Sequence, residues 1–128
     1  MNTNPAKGKI LISEPFLNDP NFKRTIILLT EHGDDGSIGF VMNKPTDYKI
    51  HEVIEEFPKF DSIVYYGGPV QFNTLQFLYK GENVIEGSIE IIPGLYWGGS
   101  FDILKTLITS GAVEPSDFRF FLGYSGWI

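Results

Sequence analysis

Residues 25–31 read TIILLTE, a continuous run of β-branched residues and leucine without polar alternation. A strand that is apolar on both sides has to be covered on both faces, so this segment demands a central place in a sheet. Gly33-Asp34-Asp35-Gly36 follows, and residues 37–43 (SIGFVMN) resume the strand pattern. Two strand patterns joined by a short Asp-Gly loop predict a β-hairpin. In its second strand Ile38, Phe40 and Met42 fall on one face, Gly39 and Val41 on the other. A glycine inside a strand predicts a bulge or a close backbone approach.

The remaining segments are read around this hairpin. Residues 1–8 predict a loose polar arm, residues 9–13 a short strand, and residues 14–24, with two prolines and the Asn18-Asp19-Pro20 turn, a structured loop. Residues 50–57 (IHEVIEEF) carry apolar side chains at helical spacing, which predicts a helix with Asp47 as N-cap and Pro58 as its stop. Residues 62–66 predict a strand ending at Gly67-Gly68-Pro69, and residues 75–79 and 84–85 further short strands. Residues 89–92 and 95–97 read as one strand bent around Pro93-Gly94. Residues 101–109 predict a second helix, capped by Ser100, with Asp102 in its first turn and Gly111 ending it. Residues 119–127 predict the last strand. Frequent hairpins and only two helices point to an α+β class, with a mostly antiparallel sheet curled or split to cover its apolar faces. Length, 128 residues, fits one domain over 1–128.

Charge and composition exclude several functions. Sixteen acidic residues outnumber ten basic ones, and only Lys23 and Arg24 stand side by side as cations. Nucleic-acid backbones are bound by clustered Lys and Arg, so a nucleic-acid partner is disfavoured, as is an anionic membrane surface. The chain has no cysteine, which removes disulfides, thiol nucleophiles and iron–sulfur clusters. Residues 1–9 hold no apolar stretch of a signal peptide, and no run nears the roughly 20 residues that span a bilayer. A cytoplasmic location is expected.

No catalytic set stands at a diagnostic spacing, and none is assigned. His32, beside Glu31, is a general base or simply a turn residue. His51 shares a helical column with Asp47 and Glu55, a stripe that holds a divalent metal or just forms a solvated helix face; no metal and no cofactor is expected. Two glycine turns carry more. Gly98 and Gly99 lead through Ser100 into a helix, whose unpaired N-terminal amides suit a phosphate or carboxylate. Gly67 and Gly68 end a strand, with Arg24 or Lys44 as nearby cations. These seven residues are the candidate anion-binding set, set against ordinary turn geometry. Arg119 holds an anion or closes a salt bridge. The aromatic residues Tyr65, Tyr66, Tyr96, Trp97, Tyr124 and Trp127 sit beside glycines, as a binding platform or as packing.

Several fragments read together: GKILIS with Pro15, DPNFKRT over 19–25, Glu31-His32, GSIGFVMNKP over 36–45, GGPV over 67–70 and RFFLGYSGW over 119–127. In this order the chain resembles the AlgH/YqgE family of bacterial proteins. The resemblance implies a complex α+β fold whose bifurcated sheet forms a pseudo-barrel. It brings the label of transcriptional regulator, without an established activity or agreed catalytic residues. It also implies a further C-terminal region beyond Ile128. The expected role is a non-catalytic regulatory or protein-interaction domain, working on a protein partner or by self-association. The alternatives are a sensor or enzyme for a small anionic ligand, and, weakest, a DNA-binding regulator.

Overall fold

The computed structural model describes residues 7–12, 26–33, 36–82 and 84–127. Among the described residues the chain is α+β, with a mostly antiparallel sheet and two helices. The strands are β1 (Ile10–Ile12), β2 (Ile26–Gly33), β3 (Gly36–Val41), β4 (Pro45–Lys49), β5 (Ile63–Tyr66), β6 (Val70–Lys80), β7 (Ile89–Ile92), β8 (Leu95–Trp97) and β9 (Phe118–Trp127). The helices are α1 (Ile50–Val53) and α2 (Phe101–Thr109), with a 3-10 turn at Pro115–Asp117. The sheet forks at β9, which borders β3 and β6 and also pairs β5. The chain divides into two compact units: residues 1–44, 65–75 and 121–128 form the first, residues 45–64 and 76–120 the second.

In the first unit, β2 lies between β1 and β3, in register Leu28↔Phe40 and Ile10↔Leu28. Ile27, Leu28, Leu29 and Thr30 are all buried, the cover on both faces that the TIILLTE run demanded. The hairpin forms with Gly33 paired to Gly36; the two residues between them lie outside the described set. The register shifts between Leu29 and Glu31, a bulge at Thr30, whose hydroxyl donates to the Ile38 carbonyl at 3.3 Å. Gly39 is the expected close approach, since a Cβ there would stand 2.8 Å from the Leu28 carbonyl oxygen. Phe40 and Phe121 pack at 4.9 Å and anchor this core.

The second unit is built on phenylalanine. Phe77, Phe118 and Phe120 meet one another, Phe101 of α2 packs on Phe77 at 5.0 Å edge-on, and Phe60 closes on Phe118 at 5.5 Å. Such offset and edge-on pairs favour the opposite charges of ring face and ring edge. Helix α2 spans the predicted residues. The Ser100 hydroxyl accepts from the Ile103 amide, while Gly111 (φ 75°) and Ala112 donate to the Ile108 and Leu107 carbonyls, the paired bonds of a Schellman end.

Four expectations are corrected. The first helix stops at Val53 rather than residue 57: Ile54 is already extended and Glu56 sits at φ 59°. Its N-cap is Lys49, whose amide donates to Glu52 Oε1 at 2.9 Å; Asp47 lies in β4, a polar strand that the sequence reading missed. Residues 84–85 form no strand, because the Ile85 amide donates to the Tyr79 hydroxyl. Residues 89–97 are not one bent strand but a hairpin turned at Gly94 (φ 85°).

Candidate interaction surface

Both glycine turns that the sequence offered as candidates are bonded into the fold. The Gly67 amide donates to the Leu122 carbonyl, and its own carbonyl accepts from Val41 and from the Ser125 hydroxyl. A Cβ on Gly67 would overlap the Gly123 carbonyl and press on Phe40 and Phe121. On Gly68 (φ 153°) it would overlap Ser125 Oγ and the Tyr124 carbonyl. These glycines are where the β5–β6 turn crosses β9 at backbone contact. Lys44 lies beside them, its carbonyl taking the Tyr66 amide at 2.8 Å. Arg24 lies outside the described residues.

The Gly98–Ser100 turn belongs to the second unit and is likewise tied down. The Gly98 amide donates to the Phe77 carbonyl, the Ser100 amide to Glu86, and the Gly98 carbonyl accepts from Ser88 Oγ at 2.7 Å. Ser88 Oγ also meets the Tyr79 hydroxyl. Two of the donors an anion would need are thus already engaged, and a Cβ at Gly99 would press on Ile85 and Ser88.

His51 serves structure. His51 Nδ1 accepts from the Phe60 amide at 3.1 Å, folding residues 54–60 back over α1. Asp47 and Glu55 share no helix with it, so the metal stripe does not form. His32 pairs with Ser37 through the backbone, and its side chain lies outside the described set.

A surface that the sequence reading did not find lies on β7 and β8. Ile89 stands opposite Trp97 and Ile92 opposite Leu95, with the register shifting between Glu90 and Ile92. Directly opposed residues share a face, and so do alternate residues of one strand. Ile89, Ile92, Leu95 and Trp97 therefore make one apolar face, the bulge accounting for the odd spacing of the two isoleucines. Ile89 is 51% exposed and Ile92 44%. Trp97 is held by its indole N–H, which donates to Gln76 Oε1 at 3.1 Å. On the other face Tyr96 stacks on Tyr79 with ring centres 5.3 Å apart. Desolvation pushes the Tyr96 phenol above its usual range, and the hydrogen bond to Glu90 adds to that. The sequence grouped Tyr96 with Trp97; the strand puts them on opposite sides.

Residues 10–128 match the AlgH-like family model. The chain belongs to the AlgH-like family. It is 48% identical over 120 residues to a UPF0301 protein of Chlorobaculum tepidum, covering 94% of this chain and 64% of that one. It is 49% identical over 123 residues to one of Cytophaga hutchinsonii, covering 95% and 68%. The AlgH-like chain thus spans 64% of the length of the first of these relatives. The solution structure of AlgH from Pseudomonas aeruginosa superposes with a TM-score of 0.74 at 30% identity, over 99% of this chain and 71% of that one. A crystal structure of a Corynebacterium diphtheriae protein reaches 0.76 at 20% identity, over 99% and 69%, a likeness of fold.

The GGPV and FLGYSGW fragments that suggested this family are the two partners of one backbone crossing. None of the described helices is long and apolar enough to cross a membrane.

Proposed function

We propose that this AlgH-like chain is a non-catalytic interaction domain of the bacterial cytoplasm that binds another protein through the β7–β8 face. The observation that carries the reading is the exposed pair Ile89 and Ile92 beside Leu95 and Trp97, an apolar face with an anchored indole. Interface centres are enriched in aromatic residues and depleted of charge, and these four side chains have that composition, with Lys80 of β6 opposite Leu95 at their margin. The glycine turns support the reading from the other side, since the Gly67, Gly98 and Ser100 amides and the Gly67 and Gly98 carbonyls are engaged within the fold. DNA binding has the net charge of −6 against it.

The test is the native size of the protein in its own cells. Wild type is expected to run in a complex larger than itself, and Ile92→Lys to run at its own size with an unchanged melting temperature. A complex indifferent to Ile92→Lys overturns the reading. The competing reading places a small anion at Gly98, Gly99 and Ser100, or at Gly67 and Gly68 with Arg24 or Lys44. It predicts a raised melting temperature with a phosphate- or carboxylate-bearing metabolite, because a ligand that binds only the folded state stabilises it.

A further inference from the structure

Among the described residues three sheet edges carry exposed apolar residues, and they are not protected alike. On β1, Ile10 is exposed beside Lys9. On β4, Tyr48 is exposed, but Pro45 opens the strand and Lys49 ends it, with Lys49 Nζ 3.3 Å from Asp61. Proline and lysine are the usual guards of an edge against strand addition. β7 closes the order β6-β8-β7 among the described residues and holds only Ile89, Glu90, Ile91 and Ile92, with no Lys or Pro inside it, its guards being its shortness, the bulge at Ile91 and Pro93 just past its end. From residue 81 to residue 104 the chain carries Glu82, Glu86, Glu90 and Asp102 and not one Lys, Arg or His.

We infer that β7 accepts an extended segment of another protein as an added strand, one in which apolar residues alternate with Lys or Arg. The inference rests on the interaction reading above and names the partner's chemistry. A strand added to β7 continues the alternation of the sheet. Its apolar side chains then lie beside Ile89 and Ile92, and its cations lie on the Glu90 face. A second copy of this chain fits poorly, because antiparallel pairing of two β7 strands centred on Glu90 sets the two Glu90 side chains against each other, and β7 holds no Lys, Arg or His to offset them.

The experiment titrates an end-capped Lys-Val-Lys-Val-Lys-Val peptide into isotope-labelled protein and follows backbone amide shifts. Saturable shifts centred on residues 86–97 are expected, with affinity falling at least tenfold in Glu90→Lys and severalfold in Glu90→Gln. The block peptide Lys-Lys-Lys-Val-Val-Val tests for charge alone, and the Glu-Val alternating peptide for apolarity alone. Equal binding of either control, shifts that miss β7, or sedimentation showing a dimer held through β7 overturns the inference. If no peptide binds while Ile92→Lys still dissolves the native complex, strand addition is wrong and the interaction reading stands. If Ile92→Lys leaves that complex intact, the interaction reading is wrong as well.

Discussion

The Ser125 hydroxyl donates to the Gly67 carbonyl across 3.2 Å, joining residues 58 positions apart, and Ser125 is fully buried. That carbonyl also takes the Val41 amide at 2.8 Å, so one oxygen ties the β5–β6 turn to both β3 and β9. The crossing requires glycine because no Cβ fits between Gly67 and the Gly123 carbonyl.

Gly67→Ala should therefore destabilise the protein by about 3 kcal/mol, the upper range for overpacking, since backbone cannot yield as a side chain can. Gly33→Ala, with nothing within 4 Å of the new methyl group, should lie within about 0.5 kcal/mol of wild type. Ser125→Ala should cost about 1 kcal/mol, because the Gly67 carbonyl keeps its Val41 donor. Urea denaturation of the three variants checks the order.

Tyr79→Phe removes the acceptor of the buried Ile85 amide, a bond of 2.7 Å. A buried donor left without a partner costs about 1–3 kcal/mol. Tyr48→Phe, at an exposed position, should change stability by less than about 0.5 kcal/mol. Thermal melts of the pair separate a structural hydroxyl from a solvated one.

Gly111→Ala isolates a backbone effect, since the position has φ 75° and open space around it. The left-handed conformation should cost about 1 kcal/mol. Calorimetry should show a lowered melting temperature with helix content retained, and Gly111→Asn should fall between the two.

Tyr96 should ionise later than an ordinary tyrosine, because desolvation and then the Glu90 side chain oppose its phenolate. Since its folded value is raised, its contribution to stability is complete below pH 10, the ordinary phenol value, and is lost as the pH climbs through the raised one. Ultraviolet titration against Tyr96→Phe reads the late phenol, and Glu90→Gln should move it part of the way back.

The sequence made legible what is written locally. The TIILLTE–SIGFVMN hairpin and α2 have their periodicity, turn residues and caps within a few positions of one another; α2 spans the predicted residues, and the hairpin forms with its second strand ending at Val41, short of the predicted Asn43. What it hid depends on distant partners. The 50–57 pattern looked helical, but the chain turns out at Ile54 and the Phe60 amide binds His51. β4 has no apolar pattern because it is a polar edge, and Ile85 fails to join a strand because Tyr79 takes its amide. The fragments that carried the family resemblance were visible at once. That two of them form one crossing was not, and neither was the β7–β8 face, since both depend on which strands meet.

The central claim, contact through the β7–β8 face, is tested most directly by photo-crosslinking in the protein's own cells. A photoreactive amino acid is placed at position 92 or, as control, at exposed Thr109 on α2. The account predicts a discrete adduct from position 92 that is absent from position 109 and is lost when Ile89→Lys is added. Adducts equal at both positions, or untouched by Ile89→Lys, would contradict it.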